Sequence, residues 1–242
     1  MAGKLIVFEG VEGCGKTTQI HKSHQWLQNT FPQAQVIVTR EPGDTQLGLG
    51  LRQLLLAPLE KVDGGVIPRP TPGASVGEPQ ERTGLTFRKT PTHSICELAE
   101  LLLYAADRAQ HVEEVLKPHL QKGVIILCDR YTDSTIAYQG YGRGLDFKVI
   151  DQLNLLATGG LESNLTLWLD VDVEISLLRI KRRGTREDRI EQADVRFHQR
   201  VQAGYTQLAK ANPEKIKRVD ASLDEVAVQA QIQSILLKYL GS

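Results

Sequence analysis

The stretch "VFEGVEGCGKTTQ", residues 7–19, constrains this chain more than any other. Gly10, Gly15, Lys16 and Thr17 set out the pattern G-x-x-x-x-G-K-T directly after the apolar run Leu5-Ile6-Val7-Phe8. Such a loop works between a strand and a helix. Its glycines let successive backbone N–H groups turn inward, and the helix that follows points its positive end at the same place. The spacing therefore predicts strand, turn and helix in that order. It makes Gly10, Val11, Glu12, Gly13, Cys14, Gly15, Lys16, Thr17 and Thr18 the candidate cradle for the phosphates of a nucleoside triphosphate. Lys16 would reach the β- and γ-phosphates, and the Thr17 hydroxyl would sit on Mg²⁺. The pattern leaves the acceptor open between water, a protein and a second small molecule.

Beyond the loop, short apolar runs alternate with helical patterns. Strands are predicted at 4–8, 35–39, 124–128, 165–170 and 216–219, rich in β-branched residues, and the first four are mostly apolar on both faces. Helices are predicted near 16–29, 46–56, 94–121, 147–157, 173–183, 190–211 and 223–240. This alternation predicts an α/β fold, an open parallel sheet flanked by helices on both faces, with ligands beyond the carboxyl ends of the strands. Residues 61–92 break the pattern: they hold Pro68, Pro70, Pro72, Pro79 and Pro91, half of the ten prolines, and show no period. That composition predicts a flexible surface insertion in one domain spanning residues 1–242.

Lys and Arg number 29, as do Asp and Glu, so net charge points to neither nucleic acid nor a membrane surface. No apolar run approaches the length that spans a bilayer, and the first residues lack a basic-then-apolar signal region. Cys14, Cys96 and Cys128 are odd in number and far apart, which argues against a disulfide framework and for a reducing, cytoplasmic setting.

The residues that follow strands supply candidates for chemistry. Asp129 and Arg130, after the third strand, are placed for a metal or its waters and for a second phosphate; alone, they also fit a polar strand end. Arg40 follows the second strand. Tyr104 and Arg108 lie four apart, as do Thr135 and Gln139, so each pair shares a helix face that can stack on a base or bond its edge. An ordinary amphipathic helix fits Tyr104 and Arg108 equally well. The run "KRRGTREDRIE", 181–191, is either a solvated turn or a lid that expels water and brings an arginine to a transferring phosphoryl group.

Together these residues resemble the thymidylate kinases. The resemblance rests on "FEGVEGCGKTTQ", "TREPG", "LLLYAADRAQH", "CDRYTDSTIAYQ", "LDVDVEISLLRIKRRG" and "DRIE", in that order, and covers the chain from residue 3 to about 240 apart from the insertion. It implies a P-loop nucleoside monophosphate kinase that uses ATP and Mg²⁺ to phosphorylate thymidine monophosphate, and a homodimer. It also implies roles by position. Lys16, Thr17 and the loop backbone would hold ATP–Mg²⁺ with Asp129 near the metal, and Glu12 would face the acceptor's 3′-hydroxyl. Arg40 and Arg130 would bind the acceptor's phosphate, Tyr104 would stack on thymine, and Arg108 would bond its O4. Thr135 and Gln139 would read the remaining polar edge, and Tyr138 would crowd the 2′ position. Members with an arginine in the loop are taken to carry it where Cys14 lies, so the lid residues Arg182, Arg183 and Arg186 become the candidates for a catalytic arginine. A kinase for another nucleoside monophosphate is the nearest rival reading. A GTPase lacks its guanine-reading N-K-x-D element in this sequence, and Lys16, Thr17 and Asp129 argue against a sensor without turnover.

Overall fold

The computed structural model describes residues 3–57 and 95–241. The inserted segment 61–92 and residue 94 lie outside the described residues, and the helix predicted from 94 begins at Glu97, behind the N-cap Cys96. Strands β1 (Lys4–Glu9), β2 (Val36–Arg40), β3 (Ile125–Asp129), β4 (Leu165–Asp170) and β5 (Ile216–Asp220) pair in parallel in the order β2-β3-β1-β4-β5. The three inner strands are buried on both faces. Alternation along β1 sends Ile6 and Phe8 into one core, with Ile125 and Leu127, and Leu5 and Val7 into another, with Ile126 and Cys128. Each such aliphatic side chain contributes about 1.5–3 kcal/mol on full burial. The edge strands β2 and β5 keep exposed positions, as their mixed sequences require.

The helices are α1 (Lys16–Thr30), α2 (Gln46–Leu56), α3 (Glu97–His111), α4 (Lys117–Gln121), α5 (Thr132–Thr135), α6 (Phe147–Thr158), α7 (Val173–Arg183), α8 (Val195–Ala211) and α9 (Glu225–Leu240). Three expectations change. The helix predicted at 94–121 is interrupted by a π-helical turn, Val112–Leu116, where the Lys117 N–H reaches back five residues to Val112 O. Pro118 is the physical reason: it has no N–H to give, and its ring crowds the carbonyl four residues earlier, so the ladder widens. The helix predicted from 190 starts at Val195, because Asp188 Oδ1 ties the N–H groups of Ile190 and Glu191 into a turn and Asp194 caps a fresh start at Phe197 N. The last helix begins at Glu225, behind the N-cap Asp224.

A second π-helical segment, Ile136–Gly142, follows α5. It packs hard against its neighbours: a Cβ on Gly140 would lie 2.5 Å from the Phe147 ring, and one on Gly142 would lie 2.7 Å from that of Phe197. β1 lies between β3 and β4, and the chain leaves β1 for β2 on one side of the sheet and β4 for β5 on the other. A crevice therefore opens at their carboxyl ends, where Phe8, Arg40 and Asp129 share one level of the register.

Candidate active site

That crevice is a cavity of about 590 Å³, a size that suits small ligands. One wall is the loop between β1 and α1. Gly10 and Gly13 adopt φ of 139° and 73°, and a Cβ on Gly13 would meet Ser176 O at 2.5 Å, so the backbone passes where only glycine fits. Ser176 Oγ pins the loop by donating to Glu12 O at 2.7 Å. Lys16 Nζ donates to the carbonyls of Gly10 and Val11, at 2.9 and 3.1 Å. Thr17 and Thr18 are exposed and line the cavity at the start of α1.

Cys14 corrects an expectation. Its side chain is buried in the core, where its Sγ lies 3.6 Å from Lys16 Nζ, and does not line the cavity. The loop positions that do line it are Glu12, Gly13, Gly15, Lys16, Thr17 and Thr18, none of them an arginine.

Asp129 lines the cavity beside the loop, and its Oδ1 is buried with no hydrogen-bond partner among the described residues. Arg130, next in sequence, has φ of 73°, the one positive φ outside glycine among the described residues. That turn swings its guanidinium back across the loop. Nη2 donates to Glu12 Oε1 at 2.6 Å and to Tyr138 Oη at 3.1 Å, and Nη1 donates to Gly10 O and to Ser134 Oγ, both at 3.1 Å. Tyr138 Oη in turn donates to Glu12 Oε2 at 2.6 Å. Burial opposes the Glu12 charge, but Arg130 and Lys16 outweigh it and hold the Glu12 carboxyl below its usual range.

Beneath Arg130 lies a residue that the sequence reading passed over. Glu9, wholly buried at the end of β1, accepts from the N–H groups of Tyr131 (2.8 Å) and Ser134 (3.1 Å) and from the hydroxyls of Ser134 (2.6 Å) and Tyr205 (2.8 Å). Burial, with Asp133 nearby, pushes its carboxyl up to about 7. Its place three residues before Glu12, at the end of an apolar strand, was the available signal.

The far wall comes from α3 and the segment after β3. Tyr104, Arg108, Thr135 and Gln139 all line the cavity, so both i, i+4 pairs meet there. Burial, followed by Glu100, raises the Tyr104 phenol well above its ordinary range, which keeps the ring neutral. Arg108 is more tied than its expected role suggests: at 2 % exposure, Nε donates to Glu41, Nη1 to Thr135 and Asn154, and Nη2 to Tyr131 O. Of its five N–H groups, one on Nη2 is outside these four contacts.

Arg40 is exposed and lines the cavity. Beside it stands Arg52 of α2, absent from the sequence reading; burial and then the Arg40 charge lower its pKa. Two cations so placed favour an anion between them. Of the three lid candidates, Arg183 lines the cavity, its Nη2 donating to both carboxylate oxygens of Glu191 at 2.7 and 2.8 Å; Arg182 and Arg186 are exposed and do not line it. Arg179, one turn earlier on α7, also lines it, and the i, i+4 spacing to Arg183 was legible in the sequence.

Comparison with known proteins fits this geometry. The family model described as "Thymidylate kinase" matches residues 8–64 and 65–232. The chain belongs to the thymidylate kinase family. It is 52 % identical over 240 residues to the thymidylate kinase of Nostoc punctiforme, covering 99 % of this chain and 98 % of that protein. It is 50 % identical over 251 residues to that of Trichodesmium erythraeum, covering 99 % and 97 %. The crystal structure of thymidylate kinase from Ehrlichia chaffeensis superimposes with a TM-score of 0.69 at 30 % identity, covering 98 % of this chain and 100 % of that one. The five-stranded parallel sheet with helices is the P-loop nucleoside monophosphate kinase fold that the sequence predicts. Among the described residues no helix is long and apolar enough to cross a membrane.

Proposed function

We infer that the protein transfers the γ-phosphoryl group of ATP to thymidine monophosphate, giving thymidine diphosphate. The observation that carries this reading is a single cavity holding both a triphosphate loop and, opposite it, a ring, a guanidinium and two polar side chains suited to a base. Between them stand Lys16, Arg40, Arg52 and Arg130, a concentration of positive charge matched to two anions that must meet.

Catalysis here is positioning and charge neutralisation, with no covalent intermediate. The loop backbone and Lys16 hold the donor's phosphates. Arg40 and Arg130, with Arg52 beside them, hold the acceptor's phosphate in line. Glu12, fixed by Arg130 and Tyr138, receives the 3′-hydroxyl, and Tyr138 crowds the 2′ position. Arg183 is the lid arginine placed to stabilise charge on the transferring group, and Gly184, at φ 68°, ends α7 where the lid of residues 181–191 departs from the helix. The residues present also fit Mg²⁺: Thr17 offers an exposed hydroxyl, and Asp129 offers a buried oxygen without a protein partner. Once bound, the cation would neutralise oxygens of the donor's phosphates.

Apolar surface supports the homodimer that the resemblance implies. Leu47 and Leu54 on α2, Leu98 and Leu102 on α3, and Leu155 and Leu156 on α6 are exposed on helices that pack side by side. Sedimentation at micromolar concentration should give twice the mass of one chain. Free Cys14, Cys96 and Cys128 suit the reducing cytoplasm. A panel of nucleoside monophosphates offered with ATP and Mg²⁺ tests the assignment: thymidine monophosphate should have the highest kcat/KM, and a preference for a purine acceptor would overturn it.

A further inference from the structure

Two buried charges behind the base wall dictate which way its hydrogen-bonding groups point. A guanidinium has only donors, so Arg108 Nη1, 2.8 Å from Thr135 Oγ1, makes that oxygen an acceptor and leaves the Thr135 hydrogen to donate elsewhere. A carboxylate has only acceptors. Glu100, 1 % exposed and one helical turn before Tyr104 on α3, takes Gln139 Nε2 on its Oε1 at 2.7 Å. Glu100 does not line the cavity and Gln139 does, so one of the two amide N–H groups is committed behind the wall and the carbonyl oxygen, which Glu100 cannot receive, is left to the ligand. Arg189 Nη2, at 2.5 Å, and Arg143 Nη2, at 3.3 Å, hold Glu100 Oε2 from the other side. Arg189 is itself anchored by donating to Leu55 O at 2.9 Å.

We propose that Glu100 is a specificity-determining positioning residue that fixes the Gln139 amide and so sets the polarity of the base subsite. The wall then presents a donor, the Thr135 hydroxyl, and an acceptor, the Gln139 carbonyl. Beside the remaining Arg108 N–H, which the resemblance assigns to O4, that pair fits a pyrimidine with O4 and N3–H, which is thymine or uracil. Cytosine carries N4–H₂ and an unprotonated N3, the reverse polarity, and would set donor against donor and acceptor against acceptor. An amide free to turn over would serve either base. This inference rests on reading the wall as the acceptor's base site.

Glu100→Gln tests it, because the new amide can donate or accept and so frees Gln139 to rotate. Steady-state kinetics with dTMP, dUMP and dCMP should show the dTMP-to-dCMP ratio of kcat/KM falling by about tenfold or more. The dUMP-to-dTMP ratio, which the 5-methyl group sets, should stay constant, and KM for ATP should stay within about twofold of wild type. In a Gln139→Leu background, Glu100→Gln should leave the base ratio unchanged. An equal loss for all three acceptors, or the same change in ratio without Gln139, would overturn the proposal and leave Glu100 as a brace for Arg143 and Arg189. Should Glu100→Gln not fold, Gln139→Leu alone decides: full retention of dTMP over dCMP defeats the proposal, and loss of it sustains the proposal. Absence of wild-type turnover with any of the three would remove the functional reading and this inference with it. Normal wild-type selectivity with an unaltered ratio in Glu100→Gln removes the inference alone.

Discussion

Replacing Glu9 with glutamine should make the protein more stable and less active, and the stability gain should depend on pH in a defined direction. Glu9 is wholly buried, and burial, then Asp133, raise its carboxyl from 4.5 to about 7, against the opposing pull of Arg130, Ser134 and Tyr205. Between those values the native protein holds a proton that the unfolded chain has released. The stabilisation from that proton is full below about 4.5 and is lost as pH rises through about 7. Raising the carboxyl from 4.5 to about 7 corresponds to about 3 kcal/mol. Glutamine exchanges no proton there, so the difference between variant and wild type isolates this residue from other titrations. Urea unfolding across pH 4.5 to 8.5 should show Glu9→Gln gaining on wild type by about 3 kcal/mol as pH rises. Activity should move the other way. Glutamine Oε1 can accept from the Tyr131 and Ser134 N–H groups, but its Nε2 would then face the Ser134 and Tyr205 hydroxyls. Forced to accept from the amide, those hydroxyls lose the orientation in which they receive Arg130 Nη1, at 3.1 and 3.3 Å, and acceptor kcat/KM falls. A stability difference that stays flat with pH, or declines as pH rises, would refute the reasoning.

Other perturbations separate neighbouring arginines. Arg183→Ala should lower kcat on the order of 10³-fold with little change in thymidylate affinity, while Arg182→Ala should stay near wild type; equal losses in the two would show that general lid charge, and not Arg183, is at work. Arg108→Ala should cost about 3 kcal/mol in chemical denaturation, because it removes the guanidinium from the buried Glu41 carboxylate and leaves His111 as its partner. The folded fraction of that variant should bind ATP normally and thymidylate weakly by calorimetry, and unchanged stability would mean that the Glu41 pair contributes nothing.

Much of the fold was legible because its signals are local. Apolar runs placed all five strands within a residue or so, and the loop pattern fixed the end of the sheet at which to look. What sequence missed was set by three-dimensional partners. A reading by periodicity takes 94–121 as continuous, yet Pro118 widens the ladder into a π turn; Pro118 was visible, but its effect depends on what the turn can absorb. Glu9 falls just past the first predicted strand, 4–8, and draws no notice until Ser134, Tyr131 and Tyr205 converge on it. Arg52 and Arg179 were passed over, because local pattern does not show that residues of two separate helices border one crevice. Arg108 shows the converse. Its place was legible, but its ties to Glu41, Thr135 and Asn154, far away in sequence, were not.

The central claim is that this cavity passes the donor's terminal phosphoryl group to the phosphate of thymidine monophosphate. Incubation with γ-labelled ATP, followed by chromatographic separation of the products, tests it most directly. The label should appear in the β-position of thymidine diphosphate, one for each ADP formed. In a folded Lys16→Ala variant it should stay in ATP, because that cation gains its value only as charge develops on the transferring group. Label released as free phosphate, or normal transfer by folded Lys16→Ala, would contradict the account.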